Sequence, residues 1–359
     1  MGGSDSYTTG IRQDTYYSGP SWNRYFNPDL TWEVGEKINL GLDLQLFNDF
    51  NLTFDIFREK RRDIFMTREN SIPEIVGTGE TKITSNNGEM ENKGLDLAID
   101  YNKQITKDFF LSFKSTLTFA RNKVLKMDEP PYFEYPGLSD VGHPLGTYWG
   151  YVADGLFPDQ ETIDNSPRQD LGYTPQPGDI KYVNQPNAKG EYDNVINSND
   201  RVAIGHPYDP ELVYGFGPSM KWKNWDFSFF FQGVARTSFM MYGMHPFGTT
   251  SIKNMLQFVA DDHWSVDNPN PNAAYPRLTK DSNGNNDQYS TYWLRNAAFL
   301  KLKNAEIGYT YKGMRFYLSG VNLLTFSPFK HWDPEMGGGN GLYYPTQRVF
   351  NIGFQMTIQ

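Results

Sequence analysis

The sequence predicts an all-β protein: an antiparallel transmembrane β-barrel portion of about nine strands, carrying long extracellular loops. Three observations predict it. Apolar and polar residues alternate with a two-residue period in nine segments. Several segments run to 12–16 residues, against ~5–6 for ordinary globular strands and ~9–11 for a tilted membrane crossing. The connections between segments alternate between tight and long, as they do in outer-membrane barrels.

The first segment is WEVGEKINLGLDLQLF (32–47), with Ile38, Leu40, Leu42, Leu44 and Leu46 opposite Asn39, Gly41, Asp43 and Gln45. A turn at Asn48-Asp49 leads to FNLTFDIF (50–57). KGLDLAIDYN (93–102) sets Leu95, Leu97, Ile99 and Tyr101 against Asp96, Ala98, Asp100 and Asn102. FFLSFKSTLTFA (109–120) follows after a turn near 106–108. LVYGFGPSMKW (212–222) turns at Lys223-Asn224 into WDFSFFFQG (225–233). FLKLKNAEIGYTY (299–311) turns at Lys312-Gly313 into MRFYLSGVNLL (314–324). NIGFQMTIQ (351–359) is last, with Ile352, Phe354, Met356 and Ile358 on its apolar face.

The long connections fall at about 66–90, 127–210, 241–293 and 328–345. A soluble or surface-exposed β-sandwich that binds carbohydrate is the rival reading, because its strands also have one wet face. A sandwich has no reason to sort every long connection to one end. In the barrel reading the apolar faces meet lipid, and Asp43, Asp55, Asp96, Asp100 and Gln232 are candidates to line the lumen.

Nine is an odd number. If residue 359 ends on the short-turn side, residues 1–31 lie outside the cell, as an extracellular loop segment or as residues added in cloning. Single-chain bacterial barrels use an even number of strands. Residues 32–359 therefore read as the C-terminal part of a larger barrel, with the other strands upstream.

Composition agrees and excludes several classes. The 26 Phe, 23 Tyr and 8 Trp are many, and 33 Gly with 22 Pro imply many turns. Mean hydropathy is −0.62, and no run approaches the ~18 apolar residues of a membrane helix. Net charge is −9, and the basic run Arg58, Lys60, Arg61, Arg62 is interrupted by Glu59 and followed by Asp63, so it reads as a solvated strand end. No nucleic-acid partner is expected. With no cysteine there is neither a disulfide framework nor a thiolate site. The start, MGGSDSYTTG, has no charged region followed by an apolar one, so it does not read as a signal peptide.

The segments, taken in order, resemble the C-terminal half of the SusC/RagA-type TonB-dependent transporters of the Bacteroidetes outer membrane. NPDLTWEVGEKINLGLDLQLF, GHPLGTYWGYVADGLFPDQETID, GDIKY (178–182) and IGHPYDPELVYGF (204–216) carry the first part of the likeness. FFFQGV (229–234), NPNPNAAYPRL (268–278), YWLRNAAFLKLKNAEIGYT (292–310), FYLSGVNLLTFS (316–327) and DPEMGGGNGLYYPTQRVFNIGFQM (333–356) carry the rest. The likeness spans roughly residues 25–359. It implies a 22-stranded barrel in the outer membrane that imports a glycan or peptide. It also implies a SusD-like surface lipoprotein as lid, and a TonB complex acting through an N-terminal part that lies upstream. The sequence departs from the family pattern after GDIKY. Where the family often has an acidic stretch suited to a hard cation, VNQPNAKGEYDNVINSNDR is sparse in carboxylates; Asp193 and Asp200 remain, a weak site at best, so no metal is expected. The chain also ends Ile358-Gln359 rather than on an aromatic residue.

Chemistry is sparse. Histidines 143, 206, 245, 263 and 331 make no ligand spacing, and Asp261-Asp262-His263 reads as a polar loop cluster. There is no Gly-x-Ser-x-Gly elbow, and GGGNG (337–341) lacks a strand-turn-helix context. No carboxylate pair stands out as a glycosidase site. No enzyme activity and no cofactor are expected. The richest signal is aromatic: Trp149, Tyr151, Trp264, Trp293, Trp332, Tyr343 and Tyr344 lie in or beside the long connections, where flat rings suit sugars or peptide side chains.

Overall fold

Alternating side chains leave a strand on opposite faces, so each segment can pair on both edges while keeping one face apolar. The computed structural model describes residues 4–9, 11–13, 15–20, 24–68, 70, 72, 75, 83–242, 255–279 and 282–356. It shows that pairing as one nine-stranded antiparallel sheet. We number its strands β1 (Val34–Leu46), β2 (Phe50–Thr67), β3 (Thr84–Thr106), β4 (Phe109–Lys126), β5 (Leu212–Trp222), β6 (Trp225–Ala235), β7 (Phe299–Tyr311), β8 (Met314–Phe326) and β9 (Val349–Met356). Each strand pairs with its neighbours in sequence, so the sheet is a pure meander. A separate hairpin pairs Ser4–Thr9 with Thr15–Pro20.

A meander puts successive connections at alternate ends of the sheet. Residues 47–49, 107–108, 223–224 and 312–313 turn tightly at one end. Lys312 and Gly313 have φ +48° and +80°, as a two-residue turn matched to strand twist requires. Residues 68–83, 127–211, 236–298 and 327–348 leave from the other end.

The first long connection is shorter than the expected 66–90, because β2 and β3 pair out to Thr67↔Thr84. Their 18 and 23 residues also exceed the expected 12–16. Cross-strand charge pairs such as Lys60–Glu89 at 3.0 Å hold this polar extension together. Thr357, Ile358 and Gln359, which continue the terminal alternation, lie outside the described residues, as do parts of connections 66–90 and 241–293.

Register decides which residues share a face. One row runs Leu42, Phe54, Leu97, Leu117, Tyr214 across β1 to β5. Near the tight turns another runs Trp222, Trp225, Tyr309, Phe316, Phe354 across β5 to β9. The neighbouring row on the opposite face is Asp43, Thr53, Ala98, Thr116, Gly215, Gln232, Lys301, Thr325. The candidate lumen residues Asp43, Asp55, Asp96, Asp100 and Gln232 all share this polar face. Several carry short polar links, including Thr53 Oγ1 to Asp43 at 2.7 Å and Thr118 Oγ1 to Asp96 at 2.6 Å.

The apolar face is uncovered: Ile38, Leu40 and Ile352 are 68%, 67% and 88% exposed. A β-sandwich would bury this face beneath a second sheet, so the rival reading fails here. The hydrophobic core lies instead in the long connections. Tyr151, Ile180, Tyr182, Ile196, Phe239, Trp264, Tyr275, Trp293 and Phe329 pack in one cluster there.

Candidate functional site

The second, third and fourth long connections fold into one body at their end of the sheet. Short strands build it: Tyr148–Gly150 pairs with Val202–Ile204, Ala153–Leu156 with Ile180–Tyr182, and Ser238–Met240 with Leu294–Asn296. Backbone bonds cross between connections, as in Tyr151 N–H to Tyr289 O at 2.9 Å and Tyr242 N–H to Gly339 O at 3.1 Å.

A buried polar knot fixes the second connection to the third. Asp179 is fully buried and accepts from Arg277 Nε at 2.7 Å and from the side chains of Asn283 and Asn286 at 2.9 Å each. Gln169 donates to Asn285 and to Ile180 O, and Tyr182 Oη donates to Asn285 O at 2.7 Å. Burial alone would lower the Arg277 pKa, but its bond to Asp179 raises it overall. Burial pushes the Tyr182 hydroxyl far above the usual phenol range. Beside the knot, Gly178 has φ +87° and lies against Trp264; an added Cβ would sit 2.2 Å from the ring.

The aromatic candidates divide sharply. Tyr151, Trp264 and Trp293 are 3%, 6% and 8% exposed, so their faces serve the loop core. Trp149 is half-buried and donates through Nε1 to Asp140 at 2.6 Å, with His143 edge-on. Trp332 is half-buried, donates to Gly337 O at 2.9 Å and packs against Phe329. Tyr343 and Tyr344 are exposed.

An exposed cluster escaped the sequence reading: Tyr208, Tyr242 and Tyr289, gathered with Tyr343 near half-buried Tyr148. Tyr242 and Tyr343 share a side-chain hydrogen bond. Burial first, and the neighbouring tyrosines second, push the Tyr148 hydroxyl up to about 12. Behind Tyr242 and Tyr289 lies a cavity of about 190 Å³ whose described lining includes Met241, Val259, Tyr275, Arg277 and Trp293. It has room for one ring-sized group, framed by rings that present both an apolar face and a hydroxyl. The three missed tyrosines sit 34 to 81 positions apart, from Tyr208 to Tyr289, so no local pattern could have joined them.

Asp200 accepts from the backbone N–H of Gln185 at 2.7 Å and of Asn197 at 2.8 Å, and burial raises its pKa. Asp193 accepts from Val195 N–H at 3.0 Å. Both carboxylates thus cap turns. Among the described residues, no group of three or more His, Asp or Glu side chains converges as a metal site would. Asp261 and His263 bond locally, to Gln257 Nε2 and Ala260 O.

Comparison with known proteins agrees with this architecture. The family described as "TonB dependent receptor-like, beta-barrel" matches residues 4–323. TonB-dependent receptor P3 of Formosa agariphila is 26% identical over 96% of this chain and 36% of its own length. TonB-dependent receptor SusC of Bacteroides thetaiotaomicron is 27% identical over 96% of this chain and 34% of its own length. The chain thus spans about a third of the length of these curated relatives. In solved structures, the RagAB peptide importer in its "open-open" state superposes with TM-score 0.72 at 20% identity, over the whole of this chain and 38% of that one. The RagAB peptide transporter gives 0.69 at 21% identity, over 99% and 38%. These are likenesses of fold. With its nine-stranded meander, one-sided long connections and a family match over most of its length, the chain belongs to the TonB-dependent receptor β-barrel family.

Proposed function

We propose that the chain is the C-terminal barrel part of a SusC-like, TonB-dependent importer in the outer membrane of a Gram-negative, Bacteroidetes-like bacterium. The observation that carries this reading is the uncovered apolar face shared by all nine strands, combined with long connections at one end only. In lipid such a face is favourable, and the seven inner strands are paired along both edges, interrupted only at local bulges. The sheet's outer strands β1 and β9 would pair with further strands of the same barrel.

In this reading the tight turns face the periplasm and the loop body faces outward. The substrate is a glycan or a peptide, captured between the loop body and a SusD-like lipoprotein. TonB acts through a plug supplied by a part of the receptor outside these residues. The chain's own residues shape a cavity and perform no bond chemistry. Ligand contact falls to the exposed tyrosines, with Tyr343 and Tyr344 from the sequence candidates joined by Tyr208, Tyr242 and Tyr289. Trp149, Tyr151, Trp264, Trp293 and Trp332 act chiefly by holding that surface in place.

The test is uptake of a labelled glycan or peptide by cells carrying the intact receptor. Combined Tyr242→Ala, Tyr289→Ala and Tyr343→Ala substitutions are expected to reduce uptake about tenfold or more, as loss of central aromatic anchors does, at unchanged receptor level. Unchanged uptake would remove the tyrosine cluster as the capture surface. Uptake that survives deletion of the receptor gene would remove the import reading itself.

A further inference from the structure

The basic run at 58–62 has a structure the sequence did not disclose. Strand alternation sends Arg58, Lys60 and Arg62 to the apolar face and Arg61 to the polar one. Arg58 continues across β3 and β4 as a row with Lys93 and Arg121, directly above the last apolar residues Ile56, Leu95 and Phe119. Arg236 reaches the same surface, with its guanidinium over the Phe119 ring.

The charges on the two faces are balanced differently. On the polar face Lys37 and Arg61 meet Glu59 and Glu33, two cations for two carboxylates. On the apolar side eight cations share five carboxylates: Arg62 binds Glu36 at 3.1 Å and the adjacent Asp63 at 3.2 Å, and Lys123 stands opposite Glu91. Arg58 and Lys93 bind Glu91, each at 2.6 Å. Arg121 and Arg236 bind Glu211, at 3.1 and 2.6 Å. Lys60 binds Glu89 at 3.0 Å, and Lys126 is its cross-strand partner. The carboxylates of Glu91 and Glu211 are 10% and 4% exposed, whereas Arg58, Lys93 and Arg121 are 54%, 59% and 56% exposed. The acids lie beneath and the cations project outward, on a chain whose net charge is −9.

We propose that this ledge binds the anionic phosphate head groups of lipids in the leaflet on the long-connection side. The inference rests on the barrel reading above. Height supports it. Lys93 and Lys103 share the outward face of β3, and Lys103 pairs with Asp49 at the tight-turn end. The ten residue steps between them span about 34 Å along the strand. At a tilt of ~40° that corresponds to an apolar band ~25 Å tall. The ledge therefore sits where head groups begin, and guanidinium forks suit phosphate oxygens there.

The test uses the intact receptor, extracted from its membrane in mild detergent. Co-purified lipid phosphate is counted per receptor by native mass spectrometry. Arg58→Gln, Lys93→Gln and Arg121→Gln together are expected to reduce it at least fivefold, while Lys37→Gln with Arg61→Gln on the other face leaves it unchanged. Equal retention in both variants overturns the ledge. A second measurement needs no variant: the wild-type receptor should bind phosphatidylglycerol in preference to phosphatidylcholine. Equal binding, or displacement of phosphatidylglycerol by an equal concentration of inorganic phosphate, overturns a lipid site. A receptor recovered without detergent overturns the barrel reading, whereas an inserted receptor with unchanged lipid overturns only the ledge.

Discussion

Leu97→Arg is expected to destabilise the membrane-inserted protein by about 2–4 kcal/mol, the range for a cation on the lipid face near mid-membrane. Leu97 lies midway along the apolar part of β3, in the row of Leu42, Phe54 and Leu117. Its neighbour Ala98 lies in the row of Asp43, Thr53 and Thr116 on the polar face. Ala98→Arg adds the same charge one residue away, where water solvates it, and is expected to cost a small fraction of that. Urea unfolding in lipid vesicles, followed by heat-dependent gel mobility, reads both variants. Equal losses would mean that the two faces meet the same solvent, and the membrane assignment would fall.

Lys301→Met is expected to cost about 3–5 kcal/mol, because removing one partner of a buried ion pair leaves the others uncompensated. The Lys301 side chain is fully buried on β7 and donates to Asp333 at 2.6 Å and to Glu335. Lys303 also donates to Glu335, at 2.6 Å. These bonds tie the fourth long connection to the sheet. Melting should therefore shift down, and protease should cut within 327–348 first. Adding Asp333→Asn and Glu335→Gln should restore part of the loss, since the stranded charges are then removed; no restoration would refute the ion-pair account.

The same cluster sets a pH dependence. Burial pushes both carboxyls up, but the lysine hydrogen bonds outweigh it and hold each below its ordinary value of 3.8 for Asp333 and 4.5 for Glu335. A depressed carboxyl contributes stability that is complete above the ordinary value and is lost as pH falls through the folded one. The fourth connection should resist protease at neutral pH and lose that resistance only in acid below those ordinary values. Lys301→Met should shrink the acid step, leaving the part that Lys303 holds at Glu335. A step near pH 7, or one unchanged by the substitution, would place the control elsewhere.

The sheet was legible in the sequence wherever a two-residue period coincided with an apolar face. The tight turns were legible too, at Lys223-Asn224 and Lys312-Gly313. The ends of β2 and β3 were not, because the run from Arg58 to Thr67 carries no two-residue apolar alternation, and its extension rests on ladder pairing to Thr84 and on cross-strand ion pairs. The loop site was legible only as a surplus of aromatic residues. Tyr151, Trp264 and Trp293 and the exposed tyrosines are one residue class in sequence, and burial alone separates them. Nor did SNGNND at 282–287 look different from a solvated loop, although Asn283, Asn285 and Asn286 are buried around Asp179.

The sequence by itself determined the strands, their order of tight and long connections, and the two-faced character of the sheet, because those follow from local periodicity. Only the tertiary structure decided the register that joins nine stripes into one face, the core hidden within the connections, and which rings remain free to meet a ligand. Those properties depend on contacts between residues far apart in sequence, up to a hundred or more positions as for Asp179 with Asn283, and no local pattern encodes them.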